Sequence, residues 1–210
     1  METAERVRGI IAALKDTYPE ALCALQYQKD YELMIAVRLS AQCTDVRVNL
    51  VTPALFAAYP TLESFAEAEP EQIEPYVQSC GFFHHKARDI VLACRMLRDE
   101  YGGRVPNSMD ALLRIPGVGR KTANLLLGDL YGKPAVVCDT HCIRISNKLG
   151  LAVGKDPAKV EEQLWRVLPP EESSAFCHRI VLHGRAVCDA RKPDCANCTL
   201  APYCKSFTGD

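Results

Sequence analysis

The stretch LLRIPGVGRKTANLLL, residues 112–127, decides the fold, because it has the pattern of a helix, a tight bend and a second helix. Pro116 fixes one backbone dihedral, and Gly117 and Gly119 allow positive φ values and a close approach to the main chain. The amides at the start of the second helix have no partners within it and lie at the positive end of its dipole, where a phosphate fits. The residues predicted to form this phosphate site are Pro116, Gly117, Val118, Gly119 and Arg120. The alternative is a plain loop between packed helices, with Lys121 as a solvated charge.

The charges are distributed unevenly along a chain whose net charge is only −1. Residues 111–128 contain two arginines and one lysine but no acid, whereas residues 60–85 contain five glutamates and no lysine or arginine. A near-neutral total argues against a nucleic-acid binder, which usually carries a basic surplus. This distribution, however, would let one face of the protein meet a polyanion while another avoids it.

The rest of the chain indicates an all-α protein of about ten short helices. In residues 85–103 the apolar positions share one helical face, and Ser108 and Asp156 are placed as N-caps of later helices. Only AVV at 135–137 has strand character, and it is too short to found a sheet. No apolar run reaches the roughly 18 residues of a membrane span. The N-terminus lacks the pattern of a secretion signal, so an intracellular protein is expected.

Eleven cysteines fall into two groups. Seven are scattered along apparently helical segments and are expected to be buried apolar residues: Cys23, Cys43, Cys80, Cys94, Cys138, Cys142 and Cys177. The other four, Cys188, Cys195, Cys198 and Cys204, form the pattern C-x6-C-x2-C-x5-C. Four thiols so close bind metal or form disulfides, and an intracellular location disfavours disulfides. The spacing by itself leaves zinc and an iron–sulfur cluster open.

Together these motifs resemble the endonuclease III family of the helix-hairpin-helix DNA glycosylase superfamily, in its iron–sulfur branch. Besides the hairpin and the 6-2-5 cysteine spacing, the resemblance rests on LSAQCTD at 39–45 and VCDTHCIRISNKLGL from Val137, and it extends from about Tyr31 to Cys204. It implies a two-lobed all-α fold, with a six-helix domain at 21–133 and a cluster domain made of 1–20 and 134–210. It also implies that the four cysteines hold a [4Fe–4S] cluster and that DNA lies in a cleft between the lobes.

The resemblance implies a bifunctional DNA glycosylase and AP lyase that removes oxidised pyrimidines from duplex DNA. Lys121 would attack the sugar C1′, form a Schiff base and lead to β-elimination on the 3′ side. A lysine is protonated at neutral pH, but a helix start, the neighbouring Arg120 and desolvation by DNA all disfavour the ammonium form. Asp139 is expected to cap the next helix and also to stabilise the cationic sugar and handle the proton of the amine.

Further residues are implied to contact the DNA. Gln42 matches a family position that fills the gap left by a flipped base. Phe82 stands where the family has an aliphatic leucine, and one of Phe82 and Phe83 is expected to pack in the core instead. Arg191 and Lys192, within the first interval of the cysteine pattern, could bind a phosphate. The expected partner is duplex DNA with damaged bases or abasic sites, bound by a monomer with no membrane contact.

Two other functions remain open from the sequence. One is a related glycosylase with another base preference, although an adenine-removing relative would be expected to be longer and to lack the hairpin lysine. The other is a non-catalytic DNA-binding module that grips phosphate with the hairpin and uses zinc to staple its C-terminus.

Overall fold

The computed structural model describes residues 3–207. Within that range the regular structure is helical throughout, as the sequence predicts, and three short 3-10 turns at Gln78–Cys80, Pro170–Glu172 and Ala201–Tyr203 supplement the α-helices. The α-helices are α1 Thr3–Thr17, α2 Asp30–Ser40, α3 Asp45–Ala58, α4 Leu62–Glu67, α5 Pro70–Val77, α6 Phe83–Glu100, α7 Met109–Leu113, α8 Arg120–Tyr131, α9 Thr140–Leu149, α10 Pro157–Val167 and α11 Ser173–Ala186. No helix in this range is both long and apolar enough to cross a lipid bilayer.

The chain divides into two compact units, Cys23–Tyr131 and Met1–Leu22 with Gly132–Asp210. In the first unit, α6 packs against α4, α5 and α2, and α8 packs against α2 and α7. The apolar stripe predicted for residues 85–103 forms the buried face of α6. The side chains of this stripe are Ala87, Ile90, Val91, Cys94 and Leu97. Their burial fixes α6 as the central support of this unit.

In the second unit, α11 packs against α9 and α1, and α10 also packs against α1. Its core contains apolar side chains of all four helices, including Ile10, Ile145, Leu164 and Ile180. The predicted helix starts are confirmed: Asp156 caps α10 by accepting hydrogen bonds from the amides of Ala158 and Lys159, and Pro157 is its first residue. Residues 135–137, which had strand character in the sequence, form no strand.

The prediction for the scattered cysteines is correct for five of the seven. Cys80, Cys94, Cys138, Cys142 and Cys177 are buried, and burial raises the pKa of the Cys94 thiol. Cys23 and Cys43 are only half-buried, so the prediction was wrong for them. Cys23 precedes α2 and Cys43 lies in the turn between α2 and α3, where both pack against the edge of the core and keep part of their surface exposed.

Candidate active site

The predicted hairpin joins α7 to α8. Ser108 caps α7 as predicted, its hydroxyl accepting from the Ala111 amide at 3.4 Å. The turn then closes through two hydrogen bonds, from the Ile115 amide to the Leu112 carbonyl and from the Val118 amide to the Ile115 carbonyl, both 3.1 Å. The side chains of Ile115 and Val118 are buried in the core. The bend is therefore held by apolar packing, and only the main chain of Val118 is left for contact with a ligand.

Gly117 is required by what lies beneath it. Its φ is +76°, and an added Cβ would stand 2.8 Å from Cδ and Nε of Arg38 and 2.9 Å from Cβ of Asp89. Arg38 of α2 donates from Nε to Asp89 Oδ2 of α6 at 2.7 Å, with a second guanidinium nitrogen 2.6 Å from the same oxygen. This half-buried ion pair is the support on which the hairpin rests. The sequence does not reveal this ion pair, because its partners lie 51 residues apart in two helix interiors and carry no local signal.

Lys121 lies in the first turn of α8, as predicted, and its side chain is exposed. The amide of Ala123 donates to the Gly119 carbonyl at 2.9 Å and so begins the helical hydrogen bonding. The amides of the preceding residues come before the first helical acceptor. No acid occurs in the first turn of α8. The start of this helix thus combines outward amides, a positive dipole end and two cationic side chains, an arrangement suited to an anionic ligand.

Gln42 and Phe82 share an unusual backbone conformation. Their φ values are +55° and +49°, and no other non-glycine residue in the described range has a positive φ. Both side chains are exposed, Phe82 by 64%. Phe83 is half-buried and packs against the core, which confirms the expectation that one of the two phenylalanines is a packing residue. Left-handed conformations of bulky residues are strained and cluster at functional sites.

Asp139 is the N-cap of α9, as predicted. Its Oδ1 accepts from the Cys142 amide at 2.7 Å, and α9 ends at Gly150, whose φ of +63° is a left-handed C-cap. Asp139 is half-buried. A cap that uses one carboxylate oxygen fixes the orientation of the other.

The four C-terminal cysteines lie in the segment that follows α11, and none forms a disulfide. The Cys188 sulfur accepts from an Arg144 guanidinium nitrogen at 3.5 Å, and the Cys198 sulfur lies 3.4 Å from His183 Nε2. Burial raises the pKa of the Cys198 thiol, and the charges of the other three cysteines raise it further.

The donor set suits a soft metal centre. Its four thiols are of the ligand type that zinc and iron–sulfur clusters use, and none of them is bridged to another. In residues 3–207 as they stand, no three of the potential ligands are close enough together to hold a single ion. Arg191 and Lys192 are exposed, and their amides donate to Asp189 Oδ1 at 2.8 and 3.0 Å. The loop between the first two cysteines is thus a turn with two cationic side chains at its surface.

The predicted residues are divided between the two units. Gln42, Phe82, the hairpin and Lys121 belong to Cys23–Tyr131, and Asp139 and the four terminal cysteines belong to the other unit. The first group supplies an exposed amine at a helix start, and the second supplies a carboxylate held by a cap and four free thiols.

Comparison with known proteins identifies relatives over nearly the whole chain. The profile of the HhH-GPD superfamily base excision DNA repair protein matches residues 35–170. The chain is 46% identical to endonuclease III of Synechocystis sp. over 203 residues, which cover 96% of this chain and 93% of that protein. It is 38% identical to endonuclease III of Escherichia coli, with 98% and 97% covered. A solved structure of a trapped endonuclease III–DNA covalent intermediate superposes with a TM-score of 0.91 at 40% identity, covering 98% of this chain and 97% of that one.

Proposed function

The chain belongs to the endonuclease III family of base excision DNA repair enzymes, which are DNA glycosylases and AP lyases, and from this premise we propose that Lys121 is its nucleophile. The observation that carries the proposal is the exposed amine in the first turn of α8, directly after a bend suited to a phosphate. A hairpin that grips the backbone of the damaged strand would bring that amine within reach of the sugar.

The reaction that we propose starts with the uncharged Lys121 amine. Its nitrogen forms a bond to C1′ as the glycosidic bond breaks, and the base leaves with the bonding electrons and takes up a proton. The sugar ring then opens to a protonated Schiff base between C1′ and the lysine nitrogen. Loss of a proton from C2′ expels the 3′ phosphate and cuts the strand. Water finally releases the lysine and the unsaturated sugar aldehyde.

Asp139 supports the first of these steps. Because Oδ1 is held by the Cys142 amide, Oδ2 can face the positive charge that develops on the sugar. The same carboxylate can accept the proton that the attacking amine loses. The cap and the catalytic role are therefore compatible in one residue.

The base has to leave the duplex before C1′ can react, at a cost of a few kcal/mol in lost stacking. We assign the filling of the resulting gap to Gln42 and Phe82, which are exposed on left-handed backbone. The main chain of residues 116–119 and Arg120 would bind the phosphates, assisted by Arg191 and Lys192. The proposed substrates are oxidised pyrimidines and abasic sites in duplex DNA, and we propose that a monomer acts on them inside the cell.

A [4Fe–4S] cluster is the group that the family implies for the cysteine segment, and the all-sulfur donor set fits it. Cys188, Cys195, Cys198 and Cys204 would hold it, and it would supply a covalent cross-link for a loop with little core of its own. We assign the cluster to residues 1–20 with 134–210, and the hairpin function to residues 21–133.

Borohydride trapping on DNA with an abasic site tests the role of Lys121. Reduction converts the Schiff base into a stable amine, so the wild type is expected to give a covalent adduct and Lys121→Gln none. Lys155→Gln, which alters another exposed lysine, is the matched control and should be trapped like the wild type. An undiminished adduct with Lys121→Gln would show that the nucleophile is a different residue.

Asp139→Asn tests the charge of the Asp139 carboxylate separately from its role as a helix cap. Asparagine caps as well as aspartate does, so the free energy of unfolding should change by less than about 0.5 kcal/mol. Base removal is expected to fall by about 10²–10³-fold, because the charge that stabilises the sugar is lost. Asp156→Asn, at the cap of α10, should leave both quantities unchanged. Unaltered turnover by Asp139→Asn would limit Asp139 to its cap role.

A further inference from the structure

A buried lysine near the start of α6 is not used by the chemistry described above. The side chain of Lys86 is 1% exposed, and its Nζ donates to the carbonyls of Leu39 and Cys80, both at 2.8 Å. No other lysine in residues 3–207 is buried. The sequence HHKA at 84–87 gives no signal of this, since a lysine between histidines and an apolar stripe is usually solvated.

Burying an ammonium group is costly, and the desolvation lowers the pKa of Lys86. What compensates is the pair of carbonyls that it satisfies. Leu39 lies in the last turn of α2, where carbonyls have no donor within the helix. Cys80 ends the 3-10 turn that precedes α6, so its carbonyl also lies at the end of a helical segment. One cation therefore joins the C-terminal ends of two helical segments, α2 and the 3-10 turn before α6.

Each of these two helical segments is followed directly by one of the exposed residues with positive φ. Gln42 follows Leu39 by three residues, and Phe82 follows Cys80 by two. The 3-10 turn that ends at Cys80 also packs against α3, which begins shortly after Cys43. Burial, and to a smaller extent the Cys43 thiol, raises the pKa of the Cys80 thiol to about 11. The segments that carry the strained backbone at Gln42 and Phe82 are thus joined by the Lys86 ammonium group, which binds a carbonyl of each.

We propose that Lys86 is a positioning residue that holds Gln42 and Phe82 at a fixed separation, so that both side chains enter the duplex together when a base is displaced. This inference rests on the proposed function. Lys86 is buried and does not contact the DNA. Its effect arises because two side chains on separate segments must fill one gap, and a loosened segment would have to be ordered during binding.

Lys86→Met keeps the length and the apolar part of the side chain but removes the donor. We expect removal of an oxidised pyrimidine from duplex DNA to fall by about 10²-fold, as for other small displacements of a site. Borohydride trapping on single-stranded DNA with a preformed abasic site needs no base displacement and should stay within about twofold of the wild type. The ratio of the two rates is the readout. The fluorescence of 2-aminopurine placed opposite the lesion should rise less on binding than with the wild type.

Leu97→Ala is the matched control, because it removes a buried side chain from the same helix about three turns away and touches neither carbonyl. Its ratio should equal that of the wild type even if its stability falls. Lys86→Gln retains a neutral donor and should recover part of the duplex activity. It also replaces Lys86→Met in the test should that variant not fold.

The outcomes separate the two proposals. A wild type that gives neither base removal nor an adduct overturns the proposed function. A wild type that gives both, with Lys86 variants whose ratio matches Leu97→Ala, overturns only the positioning role.

Discussion

The hairpin at residues 114–120 and the cysteine loop at residues 188–204 are two surface segments that keep their shape by different means. In the hairpin, Ile115 and Val118 are buried and an ion pair lies directly under Gly117. In the cysteine loop, Leu200 is the only residue that is buried. The hairpin therefore follows from the core of its unit, whereas the loop has little core of its own, and in our proposal a bound cluster would hold its shape. We expect metal loss to affect the second segment and backbone crowding to affect the first.

Cys195→Ser should have the largest effect. The thiol is exposed, so its loss from a metal-free loop would change the free energy of unfolding by less than about 0.5 kcal/mol. As a cluster ligand, its loss should abolish cluster loading, measured as iron and sulfide per chain and as absorbance near ~400 nm. Limited proteolysis should then cut residues 188–204 and spare the hairpin.

Cys23→Ser, outside the loop, is the control for this experiment and should retain the iron. Zinc instead of iron in anaerobically purified wild type would contradict the cluster assignment. Full iron content in Cys195→Ser would exclude that thiol as a ligand.

Gly117→Ala tests the support of the hairpin. An alanine at φ +76° is strained, and its methyl group would press on Asp89 Cβ, so a loss of about 3 kcal/mol in unfolding free energy is expected. Gly119→Ala is the comparison, because its φ is not in the left-handed range and its added Cβ meets nothing within 4 Å. It should lose less than about 1 kcal/mol. If chemical denaturation gave the two variants equal losses of unfolding free energy, the Arg38–Asp89 ion pair would not restrict which residue can stand at position 117.

The smallest effects are expected from the cationic side chains that would bind phosphate. Replacing both Arg191 and Lys192 by Gln should lower the slope of log affinity against log salt by about 2, and Arg120→Gln by about 1. Binding titrations on one duplex at several salt concentrations measure this, with Lys155→Gln as the unchanged control.

The same substitutions, made in the Cys195→Ser variant, test whether the phosphate contacts of the cysteine loop depend on the cluster while those of the hairpin do not. If the cluster holds the loop in place, removing Arg191 and Lys192 there should change the slope no further. Arg120→Gln should keep its full effect, because the hairpin does not depend on the cluster. A loop effect that survives cluster loss would show that the thiols do not order that segment.

Much of this arrangement is visible in the sequence because it is local. Ser108, Asp139 and Asp156 are predicted as caps, and the structure confirms each by a side-chain hydrogen bond to a nearby amide. The proline and glycines of the bend at Pro116–Gly119 are likewise a local signal, although the support beneath the bend is not. Such features need only a few neighbouring residues, so a short pattern determines them.

The features that the sequence did not reveal all depend on distant contacts. The need for glycine at 117 comes from Arg38 and Asp89, and the burial of Lys86 comes from the carbonyls of Leu39 and Cys80. The left-handed backbone at Phe82 is likewise not indicated by the sequence, since nothing in a phenylalanine favours it. Charged residues within a helix give no indication of their partner until the helices are placed side by side.

One turn of α6 has a wider consequence. Lys86 and Asp89 stand three residues apart on it. The same short piece of helix therefore binds the Gln42 and Phe82 segments through Lys86 and supports Gly117 through the Arg38–Asp89 ion pair. A small displacement of α6 by thermal motion would therefore move the Gln42 segment, the Phe82 segment and the hairpin together. The distances between these three DNA-facing segments of the proposal would then stay nearly constant.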